Sequence, residues 1–174
     1  MSKPPRSPYP PDPPEDAPPP VSELGDLTDA IVKGAEWANE RAIRLSAERV
    51  TFELCRLTGA ELAEATLRDV TFADCRLDLA GLRHARLERV VFRDCRMAEC
   101  ELQGATLKDV LFERCELREA TISGARLERV ELVGCDLAGL RGVEALRGAR
   151  MHWNDVLATA PLFATALGIE ILDD

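Results

Sequence analysis

The residues best suited to chemistry in this sequence are six cysteines, five of which recur at twenty-residue intervals. They are Cys55, Cys75, Cys95, Cys100, Cys115 and Cys135. Zinc sites usually hold two cysteines a few residues apart, and no Cys-x-x-Cys occurs here. Side chains stacked at equal intervals run parallel, whereas a disulfide needs a twist of ~90° about the sulfur bond. We therefore expect the thiols to be buried as small apolar side chains.

The two histidines do not complete a catalytic arrangement in the sequence. His84 lies near Arg83 and Arg86 with no serine or cysteine at a matching position, and His152 lies beside Trp153. Neither a phosphate-binding loop nor a helix with paired metal ligands occurs. The sequence therefore predicts a protein that is not an enzyme, with no catalytic residue, no cofactor and no metal ion.

A five-residue period runs through the centre of the chain and decides its fold. From residue 52 to residue 137, a large apolar residue occupies every fifth position, and a smaller one stands two positions before it. A helix turns by ~500° in five residues, and a strand alternates every two, so neither keeps this period on one face. The chain must instead change direction every five residues.

The inward pairs also follow a second period of twenty residues. They cycle as Val-Phe, Cys-Leu, Ala-Leu and Ala-Leu, so four five-residue sides make one turn and equal sides stack. This order predicts a four-sided parallel β-solenoid with stacked sides ~4.8 Å apart. The predicted core residues are Phe52, Cys55, Leu57, Leu67, Phe72, Cys75, Leu77, Leu87, Phe92, Cys95, Leu107, Phe112, Cys115, Leu127 and Cys135.

The A-x-L-x-x pattern, as in the stretch Ala65-Thr66-Leu67-Arg68-Asp69, resembles the pentapeptide-repeat family over residues 50–139. The resemblance implies an all-β fold, a right-handed quadrilateral parallel β-helix in which the small and large residues of each unit point inward. The uninterrupted repeat predicts about 4.5 coils, and open ends that need caps.

The sequence divides into four regions. Residues 1–20 hold ten of the eleven prolines and are expected to form a disordered tail. Residues 21–43 carry apolar residues at helical spacing, which predicts a helical N-terminal cap. The alternative is that the repeat already begins near Ala35, so it stays open whether residues 35–49 belong to the repeat or to the cap. Residues 44–140 form the β-helix, and residues 141–174 form a C-terminal loop and capping helix.

The C-terminal region predicts a helix that covers the last coil. Asn154 is a suitable N-cap, Gly168 is a suitable stop, and Pro161 is expected to kink or split the helix. Residues 169–172 alternate and predict a short strand. The apolar face either caps the solenoid alone or also forms a homodimer interface, as the resemblance implies for some members. Its residues are Val156, Leu157, Leu162, Phe163 and Leu167.

Charged residues also form columns on the outside of the predicted rod. Two neighbouring columns alternate in sign and predict a checkerboard of ion pairs: Arg68, Glu88, Lys108, Glu128 and Asp69, Arg89, Asp109, Arg129. Another column holds Arg56, Arg76 and Arg96, followed by Glu116 and Asp136. The three arginines are candidate contacts for an acidic partner, and the alternative is a solvated face.

Composition and resemblance together limit the function. The net charge of −9 argues against direct nucleic-acid binding, and residues 44–140 carry only −3 of it. A cytoplasmic protein without membrane contact is expected, because no signal peptide or membrane span is visible. A bacterial protein is what the family resemblance implies. The resemblance to Qnr and mycobacterial fluoroquinolone-resistance proteins implies a protein-interaction module that binds DNA gyrase, a type II topoisomerase, by DNA mimicry. The alternative is a structural scaffold with an unrelated protein partner, favoured by the balanced charge and the uninterrupted repeat.

Overall fold

The structure, a computed structural model, describes residues 8–14 and 24–172. One parallel sheet of seven strands runs through it, with the strands in chain order. A short 3₁₀ helix (Val143–Leu146) precedes the last strand, and helix α1 (Trp153–Ala166) follows that strand. The strands are β1 (Leu27–Lys33), β2 (Ser46–Glu53), β3 (Thr66–Ala73), β4 (Arg86–Arg93), β5 (Thr106–Glu113), β6 (Arg126–Val133) and β7 (Arg150–Met151).

Successive coils stack with a register of twenty residues. Between β3 and β4, for example, Leu67 pairs with Leu87. Single bridges such as that between Arg56 and Arg76 continue the ladder on the sides outside the strands. The predicted four-sided parallel solenoid is therefore confirmed, with about six turns rather than 4.5.

Residues in the left-handed conformation turn the corners. In the central coils nearly every fifth residue has a positive φ, and the non-glycine corners range from 51° at Arg114 to 60° at Glu64. At corners such as Gly59 and Glu64, the N–H of the following small residue donates to the carbonyl of the preceding large one, as from Ala60 to Leu57 at 3.0 Å. A β-turn with positive φ at its third residue has this geometry, and it lets the chain change direction there.

Columns of equal side chains fill the axis. The rings of Phe52, Phe72, Phe92 and Phe112 stack nearly parallel, with centroids 4.7, 4.9 and 5.1 Å apart. These separations are close to the strand spacing of ~4.8 Å, because the register places each ring over the last. Thirteen of the fifteen predicted core residues are buried, while Leu127 and Cys135, in the last coil, are half-buried.

The prediction of a helical cap over residues 21–43 is wrong in its described part. Residues 27–33 form β1, which pairs with β2. Farther along, the N–H of Trp37 donates to the carbonyl of Arg56 at 2.8 Å, which is the same contact between coils that later turns make. Residues 35–49 therefore belong to the repeat.

The first coil departs from the size rule of the repeat, which is why the sequence pattern does not reveal it. Leu45 stands where later coils have alanine, and Ala47 stands where later coils have leucine. Both are buried, at 4% and 1% exposure. Because the two volumes are exchanged between neighbouring inward positions, the axis stays filled.

Part of the N-terminal segment lies against the rod, so the prediction of a disordered tail over residues 1–20 is wrong for residues 8–14. The N–H of Tyr9 donates to Asp109 Oδ1 at 3.2 Å, and the N–H of Asp12 donates to Asp69 Oδ1 at 3.0 Å. The rest of the predicted tail lies outside the described residues.

Helix α1 is a single helix, so of the two predicted effects of Pro161, a kink or a split, the split is wrong. The helix begins one residue before the predicted N-cap, Asn154, and the chain leaves it near Gly168, whose φ is 70°. The hydroxyl of Thr165 donates to the carbonyl of Pro161 at 3.0 Å. Within the described ranges, neither α1 nor any other helix is long and apolar enough to cross a membrane.

The strand predicted at residues 169–172 is not formed. The chain instead adds β7 before α1, where Met151 pairs with Leu132 of β6. The edge of β6 is therefore partly covered by backbone before the helix closes the end.

Candidate protein-interaction surfaces

The cysteine column serves packing. Each repeat thiol points at two carbonyls, as Cys95 does at those of Phe72 (3.5 Å) and Arg93 (3.3 Å). All six thiols are free, and all but Cys135 are buried. Burial raises the pKa of Cys100 to about 12, and the pKa of Cys95 is raised by its neighbouring thiols and by burial. Reactive thiolates at these two positions are therefore not expected near neutral pH.

The histidines do not join a catalytic cluster. The ring of His84 covers the next corner, with Nδ1 2.5 Å from the position that a Cβ on Gly104 would take. His152 is exposed at the start of α1. In the part of the chain that the structure describes, no group of three or more His, Cys, Asp or Glu could hold a metal ion.

One corner of the rod carries a ladder of aspartates and arginines. Arg89 binds Asp69 with both ends of its guanidinium, Nε to Oδ1 at 2.6 Å and Nη2 to Oδ2 at 2.7 Å. Arg129 binds Asp109 with the same two distances. Such two-point pairs are stronger and better oriented than ordinary surface ion pairs. We call this column, with its members Asp29, Arg49, Asp69, Arg89, Asp109 and Arg129, the Asp–Arg corner.

The two central carboxylates of the Asp–Arg corner are held ionised. Burial by itself raises the pKa of Asp69, but the hydrogen bonds from Arg89 and from the Asp12 N–H outweigh it and leave the pKa below its ordinary value. The pKa of Asp109 is lowered in the same way by Arg129 and the Tyr9 N–H against the effect of burial. Both side chains therefore act as acceptors over the whole physiological range.

The neighbouring charged column confirms the predicted checkerboard. The carboxylate of Glu88 lies 3.5 Å from Arg68 on one side and 3.4 Å from Lys108 on the other. Glu88 also contacts Arg89 at 2.9 Å, so it joins this column to the Asp–Arg corner. These side chains bind each other along the rod.

The column of three arginines differs from this checkerboard, because three positive charges follow one another on successive coils. Arg56 pairs with Arg76, and Arg76 with Arg96, in the ladder between coils. The outer two make long contacts: Arg56 lies 3.9 Å from Glu36, and Arg96 lies 3.6 Å from Asp78 and 3.7 Å from Glu116. Arg76 has no ion pair with any other described residue. The three predicted surface contacts thus lie side by side and are incompletely neutralised.

Two exposed leucines lie at the corners beside this column, and sequence reasoning missed them. Leu54 and Leu79 are 59% and 55% exposed, and both have positive φ, 56° and 60°. A bulky apolar residue in the left-handed region is unusual and strained. The signal in the sequence is a leucine at a corner position, where this repeat otherwise places Asp, Glu, Arg, Gly, Asn or His. We call Leu54, Leu79 and the three arginines the arginine face.

Helix α1 closes the C-terminal end. Asp155 accepts the N–H of Gly134 at 2.9 Å, and Leu162 packs against the core. Val156 and Phe163 are half-buried and line a cavity of about 620 Å³ beside the 3₁₀ helix. Of the predicted face, only Leu157 and Leu167 are exposed, at 54% and 76%.

Comparison with known proteins agrees with this architecture. A family model described as a pentapeptide repeat region matches residues 45–122 and 81–141, more than half of the chain. No curated protein matches the sequence.

Solved structures that resemble this chain do so at low identity. Trypsin-treated QnrB1, a plasmid-mediated fluoroquinolone resistance protein, is 18% identical, with a TM-score of 0.36 over 83% of this chain and 99% of that one. A pentapeptide repeat protein from the Arabidopsis thaliana thylakoid lumen is 15% identical, with a TM-score of 0.35 over 76% and 75%. HetL, a pentapeptide repeat protein involved in heterocyst differentiation regulation in Nostoc sp. strain PCC 7120, is 16% identical, with a TM-score of 0.21 over 70% and 86%. With the matched family model, the twenty-residue register and the stacked inward columns, this chain belongs to the pentapeptide repeat family.

Proposed function

We propose that this protein is a non-enzymatic binding module whose arginine face engages an acidic segment of a partner protein. The observation that carries the proposal is the stack of Arg56, Arg76 and Arg96, in which the middle guanidinium has no ion pair with a described residue. The fold does not need this stack, because backbone hydrogen bonds between coils hold the rod together.

The stack has an electrostatic cost that a ligand removes. Two unit charges one strand spacing apart repel by about 1 kcal/mol in water. Carboxylates placed along the column replace that repulsion with attraction. The chain as a whole is acidic, with a net charge of −9, so an acidic segment is repelled elsewhere and steered to this face.

The leucines give the same face apolar contact area. Leu54 and Leu79 stand at the corners beside the arginine column, and each exposes more than half of its surface. Apolar area beside charged groups is typical of surfaces that bind other proteins. We therefore expect the partner segment to alternate acidic and apolar side chains.

A defined acidic probe tests the proposal. Fluorescence anisotropy would measure the binding of a labelled decaglutamate to the full chain and to a triple variant with Arg56→Gln, Arg76→Gln and Arg96→Gln. Three exposed pairs at about 0.5 kcal/mol each predict about a tenfold loss of affinity. Higher salt should reduce the binding of the parent protein and narrow the difference.

A matched control separates this face from general charge. The triple variant Arg86→Gln, Arg126→Gln and Arg147→Gln removes the same charge from exposed positions elsewhere. We expect its affinity to stay within about twofold of the parent protein. Equal losses in the two triple variants would mean that net charge, and not the arginine face, binds the probe.

Binding of DNA gyrase by DNA mimicry is the second candidate, and the net charge of −9 favours it. Mimicry needs carboxylates that are free to replace phosphates. Against it, Asp69, Asp94 and Asp109 are each bound by an arginine at two points. Supercoiling and poison-protection assays test this candidate. Unchanged activity at micromolar excess, with no binding to the gyrase A subunit, would exclude it.

Pairing of two copies through α1 is a further proposal about assembly. Leu157 and Leu167 are its exposed apolar residues, whereas Leu162 is used to cover the core. Sedimentation of the parent protein beside a Leu157→Asp variant tests the pairing. A parent protein that is already monomeric at high micromolar concentration would contradict it.

A further inference from the structure

We infer that the Asp–Arg corner is a binding site for a polyproline-II peptide, and that residues 8–14 of this chain are its ligand. The site is separate from the arginine face and does not depend on it. The peptide donates a backbone N–H from every third residue, and aspartates on every second coil accept these hydrogen bonds.

The ligand segment offers only two backbone donors. Its sequence is Pro-Tyr-Pro-Pro-Asp-Pro-Pro, and proline has no N–H, so Tyr9 and Asp12 carry both donors. Both donors are used, the first on Asp109 and the second on Asp69. The backbone donors of the segment are therefore fully satisfied by the rod.

The spacing of the donors matches the spacing of the acceptors. A polyproline-II helix has three residues per turn and rises ~3.1 Å per residue, so Tyr9 and Asp12 lie ~9.3 Å apart on one face of it. Asp69 and Asp109 are forty residues apart, which is two coils, or ~9.6 Å at the usual strand spacing. One turn of the peptide thus spans two coils of the rod.

The alternation of charge makes the corner selective for this spacing. The coil between the two aspartates presents Arg89, whose side chain has no acceptor atoms. A peptide with an N–H on every residue would therefore have donors without an acceptor at this coil. Arg89 and Arg129 also hold their aspartates by two points, which fixes the position of each Oδ1 before the peptide arrives. A site fixed in advance loses little entropy on binding.

Side chains of the segment add one ring contact and one longer-range charge interaction. The ring of Tyr9 lies under the guanidinium of Arg129, with 5.7 Å from the guanidinium carbon to the ring centroid. This distance is within the range of a cation–π interaction. Asp69 chiefly raises the pKa of Arg89, and the carboxylates of Glu88 and Asp12 add smaller contributions.

Burial of the acceptors separates this corner from a similar pair elsewhere. Asp94 binds Arg114 at two points, 2.7 and 2.8 Å, on another corner, and its side chain is 37% exposed. The side chains of Asp69 and Asp109 are 4% and 3% exposed. The two corners share the ion-pair geometry, but only the aspartates of the Asp–Arg corner receive the N–H of residues 9 and 12.

Two substitutions at one tail position test the inference. Asp12→Pro removes the N–H and strengthens the polyproline-II conformation, whereas Asp12→Ala keeps the N–H and removes the carboxylate. Both lie outside the coils, so the rod should fold in each. The readout is hydrogen exchange of the Tyr9 amide, followed by NMR on the full chain.

We expect the Tyr9 amide to be protected from exchange in the parent protein and in Asp12→Ala. In Asp12→Pro the protection should fall about tenfold or more, because losing a hydrogen bond to a charged acceptor changes an equilibrium by at least that factor. An unprotected Tyr9 amide in the parent protein would overturn the inference. Equal protection in the two variants would also overturn it, because the N–H of residue 12 would then not be what the corner recognises.

Substitutions on the rod provide a second, independent measurement. Asp109→Asn should release the Tyr9 amide, and Asp94→Asn, the matched change on the other corner, should leave it protected. Equal effects of the two changes would contradict the inference.

A synthetic peptide with the sequence of residues 7–15 tests the site as a receptor. Added to the labelled Asp12→Pro chain, it should shift the resonances of Asp69 and Arg89, and a peptide with proline in place of the aspartate should bind at least tenfold more weakly. Mixing unlabelled parent protein with that labelled chain should leave these resonances unchanged at micromolar concentration. Shifts in that mixture would mean that a second copy supplies the segment, which would overturn the assignment to the same chain.

Discussion

Two turns approach each other closely at the C-terminal end, so alanine in place of Gly142 should destabilise the protein. Gly148 provides a matched control. Gly142 has a φ of 81°, and a Cβ added to it would lie 2.4 Å from the backbone nitrogen of Ser123 in the coil before. Gly148 has a φ of 86°, but a Cβ there would meet no atom within 4 Å. The two sites share the backbone strain and differ only in the collision.

The magnitudes follow from these two effects. Alanine in the left-handed region costs about 1–2 kcal/mol, and this is all that Gly148→Ala should lose. Gly142→Ala carries the same strain and also places its Cβ against backbone atoms that cannot rotate away. Overpacking of this kind costs about 1–3 kcal/mol more. We therefore expect Gly142→Ala to be the less stable of the two by about 1–3 kcal/mol.

Urea unfolding followed by circular dichroism measures both variants against the parent protein. If Gly142→Ala does not fold while Gly148→Ala does, the difference in unfolding free energy lies at the upper end of the expected range. Equal losses of unfolding free energy would refute the reasoning, because the coil before Gly142 would then not approach as closely as described.

Three further outcomes test the core, the thiols and the tail. Phe92→Ala should lower the unfolding free energy by about 3–5 kcal/mol, because the ring is fully buried between two stacked neighbours, and a loss below about 1 kcal/mol in urea unfolding would contradict that packing. A thiol reagent should label Cys135 before the other five cysteines, since it is the only one that is half-buried; mass spectrometry of the labelled peptides would contradict this if Cys95 reacted as fast. Docking of residues 8–14 should persist from neutral pH down to about 4 and weaken below it, because the pKa of Asp109 lies below its ordinary value of 3.8 and the docked state binds fewer protons than the released one. Protection of the Tyr9 amide reports this, and a loss of protection already at pH 6 would show that another group controls docking.

The arrangement of the central coils could be predicted in detail from the sequence. A period of five fits neither a helix nor a strand, and the period of twenty above it places Phe72 over Phe52 and Cys75 over Cys55. Each coil meets only its neighbours in a solenoid, so one repeated local rule determines the whole rod. The same rule placed Arg56, Arg76 and Arg96 side by side.

The ends of the rod could not be predicted in the same way. Leu45 and Ala47 exchange volumes, which leaves the axis filled but hides the first coil from a search for large residues at fixed positions. At the other end, helix α1 continues through Pro161, because the packing of Leu162 on the core outweighs the missing N–H.

The sequence by itself determined the columns, because their spacing is a property of chain connectivity and turn geometry alone. Only the tertiary structure decided which segment of the chain packs against the outer surface of these columns. Residues 8–14 and the Asp–Arg corner are far apart in sequence, and their fit depends on the rise of a polyproline-II helix matching the height of two coils. Neither length is visible in the order of residues, so the contact emerges only when both backbones have their shapes.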